Sequence, residues 1–155
     1  MVADRGLSLL ELLVVLVIIG IAGAIAAPNY SRLIERYNLR KASRQLVTDL
    51  QCAKMRAVSE GISHRVGFRS GSAPQYVIER KSDGAWTMVD IERNLADKDN
   101  PYCAGGISMS TSANPLRVVF SPLGSASPAA SVTFRTKSDQ TKTVYVILTG
   151  RIRIE

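Results

Sequence analysis

Two arginines one residue apart, Arg151 and Arg153, follow Gly150 near the end of the sequence. If Thr149–Ile154 is extended, both guanidiniums point to one face, and Ile152 and Ile154 point to the other and anchor the segment to a core. The two cations then stand about 6.6 Å apart, two residues at 3.3 Å each, a spacing comparable to that of adjacent phosphates on a DNA strand. A planar guanidinium fork grips phosphate oxygens in pairs, so the chemistry on offer is phosphate binding. Gly150 allows the backbone to turn or approach closely. Arg135, Lys137 and Lys142 on the preceding hairpin are placed to extend the basic patch, although the hairpin tip can lie far from Arg151. The alternative for the arginines is an exposed edge strand kept soluble and unpaired by charge.

Glu11 is the second residue with chemical potential, because it interrupts the apolar run Leu7–Ala27. That run is long enough to cross the roughly 30 Å core of a bilayer as a helix. A carboxylate within such a span costs about 2.5–3.5 kcal/mol on insertion scales and is a functional candidate by default. No constellation for bond-making chemistry is legible. The single histidine, His64, opens a strand and reads as a surface or edge residue, and there is no C-x-x-C, P-loop or H-E-x-x-H pattern. Asp83, Asp90, Asp97 and Asp99 lack calcium-loop spacing, so neither a metal nor a cofactor is expected.

The elements that must position these residues follow from periodicity. Residues 1–6 form a short charged leader, 7–28 a transmembrane helix, 29–60 an amphipathic continuation and 61–155 a globular β domain. Gly20, Gly23 and Pro28 weaken the apolar helix. Leu39, Ala42, Leu46, Leu50, Ala53 and Ala57 recur at three- and four-residue spacing and face a core. Tyr30, Leu33, Ile34 and Tyr37 lie on a different face, suited to neighbouring subunits, and Gly61 is a C-cap. Arg32, Arg36, Arg40 and Arg44, with Lys41 beside them, form a stripe that reads as a solvated or intersubunit flank, or else as a DNA or headgroup contact. After Gly61 the period becomes two, with strands expected at His64–Arg69, Gln75–Lys81, Ala85–Ile91, Leu116–Phe120, Ser131–Lys137 and Thr143–Ile154. Lys81-Ser82-Asp83-Gly84 is a hairpin turn, and residues 92–114 and Ser121–Ala130 are loops. The fold class is α+β: one long helix laid against a small antiparallel sheet system. The net charge of +7 suits polyanionic partners such as nucleic acid or acidic lipid, although many proteins carry such a charge without one.

The string Arg5-Gly6-Leu7-Ser8-Leu9-Leu10-Glu11 resembles the type III signal of type IV pilins and pseudopilins. That resemblance implies cleavage after Gly6 by a prepilin peptidase and N-methylation of Leu7, where Phe is the commoner residue. It also implies that Glu11 pairs with the N-terminal ammonium of a neighbouring subunit during assembly. Leu50-Gln51-Cys52-Ala53-Lys54-Met55-Arg56-Ala57, Val66-Gly67-Phe68, Val118-Val119-Phe120-Ser121-Pro122-Leu123-Gly124 and Gly150-Arg151-Ile152-Arg153 resemble the GspH/FimT family of minor pilins and pseudopilins. The implied fold is type IV pilin-like. The protein would be a single-pass inner-membrane protein with a periplasmic C-terminal domain, later assembled into a surface pilus with other major and minor pilins. In the FimT branch a G-R-x-R tail is linked to binding incoming DNA in natural transformation, which implies non-specific double-stranded DNA binding by Gly150, Arg151 and Arg153. The alternatives are a structural minor pilin that primes assembly, FimU-like, or a GspH-like pseudopilin of type II secretion. An extracytoplasmic domain permits a Cys52–Cys103 disulfide, and in this class such a bond often pins a loop. Cys52 lies off the core-facing strip, however, so the pairing stays open.

Overall fold

The computed structural model describes residues 9–69, 75–89, 93–94 and 107–155, with the side chains of 25–29 outside the description. Among the described residues one helix, α1 (Leu9–Glu60), precedes ten strands. Compact units comprise Met1–Ile34 and Glu35–Glu155, so the second half of α1 belongs with the sheets. In the first unit the large apolar side chains Leu9–Leu10 and Leu12–Ile19, and Ile21 beyond them, are all exposed, as are Tyr30, Leu33 and Ile34. Among the described residues no helix is long and apolar enough to cross a membrane; of the apolar run 7–27, the described side chains are those of 9–24.

Strands β1 (His64–Arg69), β2 (Gln75–Ser82), β3 (Ala85–Met88), β4 (Arg93–Asn94), β5 (Ser108–Thr111), β6 (Arg117–Phe120), β7 (Ala126–Ser127), β8 (Ala130–Arg135), β9 (Thr141–Val146) and β10 (Ile152–Ile154) form two antiparallel sheets. The first runs β3-β2-β1-β6-β7 with β4 on β2, and the second runs β10-β9-β8-β5. All six expected core positions of α1, Leu39, Ala42, Leu46, Leu50, Ala53 and Ala57, are buried. They share one core with Val66, Phe68, Ile78, Val118 and Phe120 of the first sheet and Met109, Val132, Phe134, Val144 and Val146 of the second. Among the described residues every core residue lies within Glu35–Glu155, so none of that core is lost when residues 1–34 are removed.

The helix ends where the sequence expects it to. Gly61 has φ +67°, the left-handed geometry of a helix C-cap. Asp83 and Gly84 both have positive φ and close the β2–β3 hairpin, as a type I′ turn requires.

Several expectations need correction. The segments expected as loops, 92–114 and Ser121–Ala130, hold β4 and β5 and then β7 and the first residue of β8. These strands are short and mostly polar, so main-chain pairing with β2, β8 and β6 reveals them where apolar alternation does not. His64 is fully buried rather than at a surface or edge, because the chain turns back at Gly61 and puts the first residue of β1 on the same inward face as Val66 and Phe68. Its Nδ1 lies 3.1 Å from the Ile62 carbonyl oxygen and its Nε2 3.5 Å from Glu60. The strand expected at Ser131–Lys137 ends at Arg135, where the chain turns at Asp139, φ +63°. The single strand expected at Thr143–Ile154 is two strands, β9 and β10, joined by a tight hairpin. The third described strand, β3, ends at Met88; Ile91 lies outside the described residues.

Candidate functional site

The β9–β10 hairpin positions the tail arginines. Gly150 N–H donates to the Ile147 carbonyl at 2.8 Å, and Ile147 N–H donates to the Arg151 carbonyl at 3.0 Å. With Gly150 at φ +74°, this is a three-residue connection in which a left-handed residue forms a bulge, the common alternative to a two-residue turn. Arg151 thus sits at the foot of the hairpin and Arg153 one pair further along, opposite Tyr145. Val144 and Val146, the partners of Ile154 and Ile152, are buried. Arg151 and Arg153 therefore share the outward face with the partly exposed Tyr145 and Ile147, while Ile152 packs on the core. The outward pairing of the arginines expected of one strand survives in a hairpin, because the bulge keeps the alternation of β10 in register. Of the two isoleucines expected as anchors, however, only Ile152 packs on the core, and Ile154 is 37% exposed. Among the described residues neither guanidinium has a hydrogen bond or ion pair.

The support beneath this pair combines two segments more than twenty residues apart. A Cβ on Gly150 would collide with the Gly124 carbonyl oxygen, so glycine at 150 allows the two turns to touch. Lys54 Nζ reaches across from α1 and donates to the Gly150 carbonyl at 3.0 Å. Ala126 N–H donates to the Leu148 carbonyl at 2.9 Å, tying the β9–β10 connection to the start of β7. The arginines hence project from a hairpin fastened to both sheets and to the helix. Lys54 and Gly124 were missed as positioning residues: nothing in the spacing of Lys54 links it to Gly150, ninety-six positions away.

The three less secure basic residues fall in different places. Arg135 is on the outward face, but Ser131 is the β8 residue level with Tyr145, so Arg135 lies four residues, about 13 Å, along the strand. Its guanidinium is held 2.6 Å from Asp139. Lys137 is exposed beyond the end of β8. Lys142 pairs with the buried Phe134 and so faces the opposite side of the sheet; it does not join the tail pair. Gly6 and Leu7 lie outside the described residues. Glu11 is exposed in the first turn of α1, where a carboxylate complements the helix dipole. Cys52 is half-buried and carries a free thiol among the described residues, and Cys103 lies outside them.

The arrangement offers an anion two guanidiniums that are unpaired among the described residues and stand on a fastened hairpin.

Comparison with known proteins bears on the family and the fold. The family described as type II transport protein GspH matches residues 42–150, and the prokaryotic N-terminal methylation motif matches residues 1–27. The chain is similar in structure to the type IV minor pilin FimU of Pseudomonas aeruginosa, with TM-score 0.62 and 18% identity over 79% of this chain and 92% of that one. It is similar to the minor pseudopilin EpsH of the Vibrio cholerae type 2 secretion system, with TM-score 0.62 and 10% identity over 76% and 96% of the two chains. Escherichia coli GspH gives TM-score 0.55 and 17% identity over 77% and 88%. No curated protein matches in sequence.

Proposed function

The chain belongs to the GspH family, and on that premise we propose that it is a minor type IV pilin that holds double-stranded DNA through its phosphates. Its fold is the type IV pilin fold, and its N-terminal methylation motif marks it as a pilus or pseudopilus component. The observation that carries the DNA reading is the pair Arg151 and Arg153, unpaired and outward on an edge strand fastened from beneath. Phosphate contacts position a protein without reading sequence, so binding is non-specific. It should be in the 10⁻⁴–10⁻⁶ M range, roughly, and salt-dependent. The test is titration of the Glu35–Glu155 unit with a short duplex beside the Arg151→Ala/Arg153→Ala variant. The wild type binds and loses affinity as salt rises; the variant does not bind. A folded wild type that ignores DNA overturns the reading.

The N-terminal part of the proposal rests on composition and the matched motif. A prepilin peptidase cuts after Gly6, Leu7 is N-methylated, and residues 7–28 hold the protein in the inner membrane, with its C-terminal domain periplasmic, until it joins other pilins in a fibre. The exposed apolar side chains from Leu9 to Ile21 support a role in lipid or in a helical fibre core. Glu11→Ala is expected to leave membrane insertion intact and to abolish incorporation, since the carboxylate that would neutralise a neighbour's ammonium is gone. Pull-down of sheared pili checks this; wild-type amounts of the variant in the fibre contradict it.

A second reading has its own support. The matched family is described by type II transport, and one structural neighbour is a secretion pseudopilin. In that case the partners are other pseudopilins, and the tail arginines protect the β10 edge. The same titration separates the two.

A further inference from the structure

A second group of free cations lies on the other side of β10. Arg40 and Arg44 are one helical turn apart on α1 and exposed. With Ser43 they form one wall of a 260 Å³ hollow whose other wall is Lys142 of β9 and Ile154 of β10. The same two arginines also border a 400 Å³ hollow with Tyr37, Lys41, Gln45 and Thr48, so they form a ridge between two depressions. Among the described residues Arg40, Arg44 and Lys142 have no side-chain hydrogen bond or ion pair. Glu35 accepts from Ser138 and Asp139 holds Arg135, while Glu155 follows Ile154 and pairs with Thr143, where alternation puts its side chain on the outer face with Arg153. Three like charges line the hollow, and among the described residues no carboxylate lines it with them.

Strand β10 connects this hollow to the tail pair. Thr143 and Glu155 exchange both main-chain hydrogen bonds at 2.9 Å. By the alternation of an antiparallel ladder, Arg153 also bonds β9, and the N–H groups of Ile152 and Ile154 point away from it. Since β10 ends its sheet, those amides face the free edge. The edge thus carries Arg151 and Arg153 on its outer face, two main-chain donors along its rim, and the Arg40–Arg44–Lys142 hollow on its inner side. A single carboxylate would engage one of these groups. A chain of evenly spaced phosphates can engage all three, and main-chain amides are ordinary phosphate donors.

We propose that the hollow of Arg40, Arg44 and Lys142 binds a second phosphate of the same DNA, so that the backbone crosses the β10 edge rather than resting on the tail alone. This rests on the DNA reading above and enlarges its footprint. The helix arginines then serve as a ligand contact rather than a solvated flank.

The experiment titrates the Glu35–Glu155 unit with a short duplex over a series of salt concentrations. Four proteins are compared: wild type, Arg40→Gln/Arg44→Gln, Lys142→Gln and Arg151→Ala/Arg153→Ala. Glutamine keeps helix propensity, and circular dichroism confirms folding. Loss of the hollow's one phosphate contact in Arg40→Gln/Arg44→Gln should lower the slope of log K against log salt by about 0.9 and the affinity by about 5-fold at about 0.15 M salt. Lys142→Gln, which leaves both arginines on that phosphate, should lower the slope by less than about 0.9. Wild-type slope and affinity in the Arg40/Arg44 variant, with binding lost in the tail variant, overturn the hollow and leave the tail reading intact. No binding by wild type overturns both. A parallel titration with phosphatidylglycerol vesicles identifies the source of the phosphate: if Arg40→Gln/Arg44→Gln reduces vesicle binding alone, the DNA assignment is overturned.

Discussion

Gly150→Ala is expected to destabilise the Glu35–Glu155 unit by about 3 kcal/mol, a fall of about 10 °C in Tm. Two effects combine. A left-handed backbone costs an L-residue with a Cβ about 1–2 kcal/mol, and Gly150 has φ +74°. The new methyl would also meet the Gly124 carbonyl oxygen, a backbone atom that cannot swing aside, with the Lys54 stem at 3.2 Å behind it. Gly84 is the internal control. It has a comparable φ of +83°, but a Cβ there meets nothing within 4 Å, so Gly84→Ala should cost about 1 kcal/mol, the backbone term alone. Thermal or urea unfolding of the two variants checks the difference. Equal losses would show that contact between the two turns does not hold the hairpin. Because Arg151 is the next residue, Gly150→Ala should also weaken DNA binding in protein that remains folded.

Asp49→Ala should be comparably damaging, at about 3 kcal/mol. Asp49 is buried on α1 and accepts hydrogen bonds from Tyr76 Oη at 2.6 Å and Gln45 Nε2 at 3.1 Å. Arg93 Nε stands 3.4 Å from the same carboxylate, its side chain 22% exposed. Removing one member of a buried pair costs about 3–5 kcal/mol, and here it also takes the acceptor away from Tyr76 and Gln45. The partial exposure of Arg93 places the expected loss at the lower end of that range. Tyr76→Phe, which removes only one donor, should cost about 1 kcal/mol. Urea midpoints of the two variants are the measurement. A loss below that of Tyr76→Phe would mean that Arg93 does not depend on Asp49. This network ties β2 and β4 to the helix, and so fastens the first sheet at the end remote from the tail.

Much of the fold is legible in sequence because it is written in periodic burial. The three- and four-residue spacing of Leu39 to Ala57 specifies the buried face of α1, and Asp83-Gly84 specifies a hairpin. The β9–β10 hairpin is not legible for a physical reason. Ile147 and Leu148 continue the apolar texture of a strand, and Gly150 is the only turn residue in the connection. His64 was misjudged because burial of a histidine at the first position of β1 depends on how abruptly the chain reverses at Gly61. Of the site, the outward pairing of Arg151 and Arg153 is readable, since alternation alone dictates it. Lys54, Gly124 and the Arg40–Arg44–Lys142 hollow are not, because they come together only through tertiary packing.

The central claim is that the tail guanidiniums touch DNA. The most direct measurement is a titration of the isotope-labelled Glu35–Glu155 unit with a short duplex, followed residue by residue by NMR. Shifts concentrated at Arg151 and Arg153, including their side-chain Nε–H signals, and spreading to Tyr145 and Ile147, are the predicted result. A spectrum unchanged along β9 and β10 at saturating duplex, or shifts confined to the outer face of the first sheet, would contradict it.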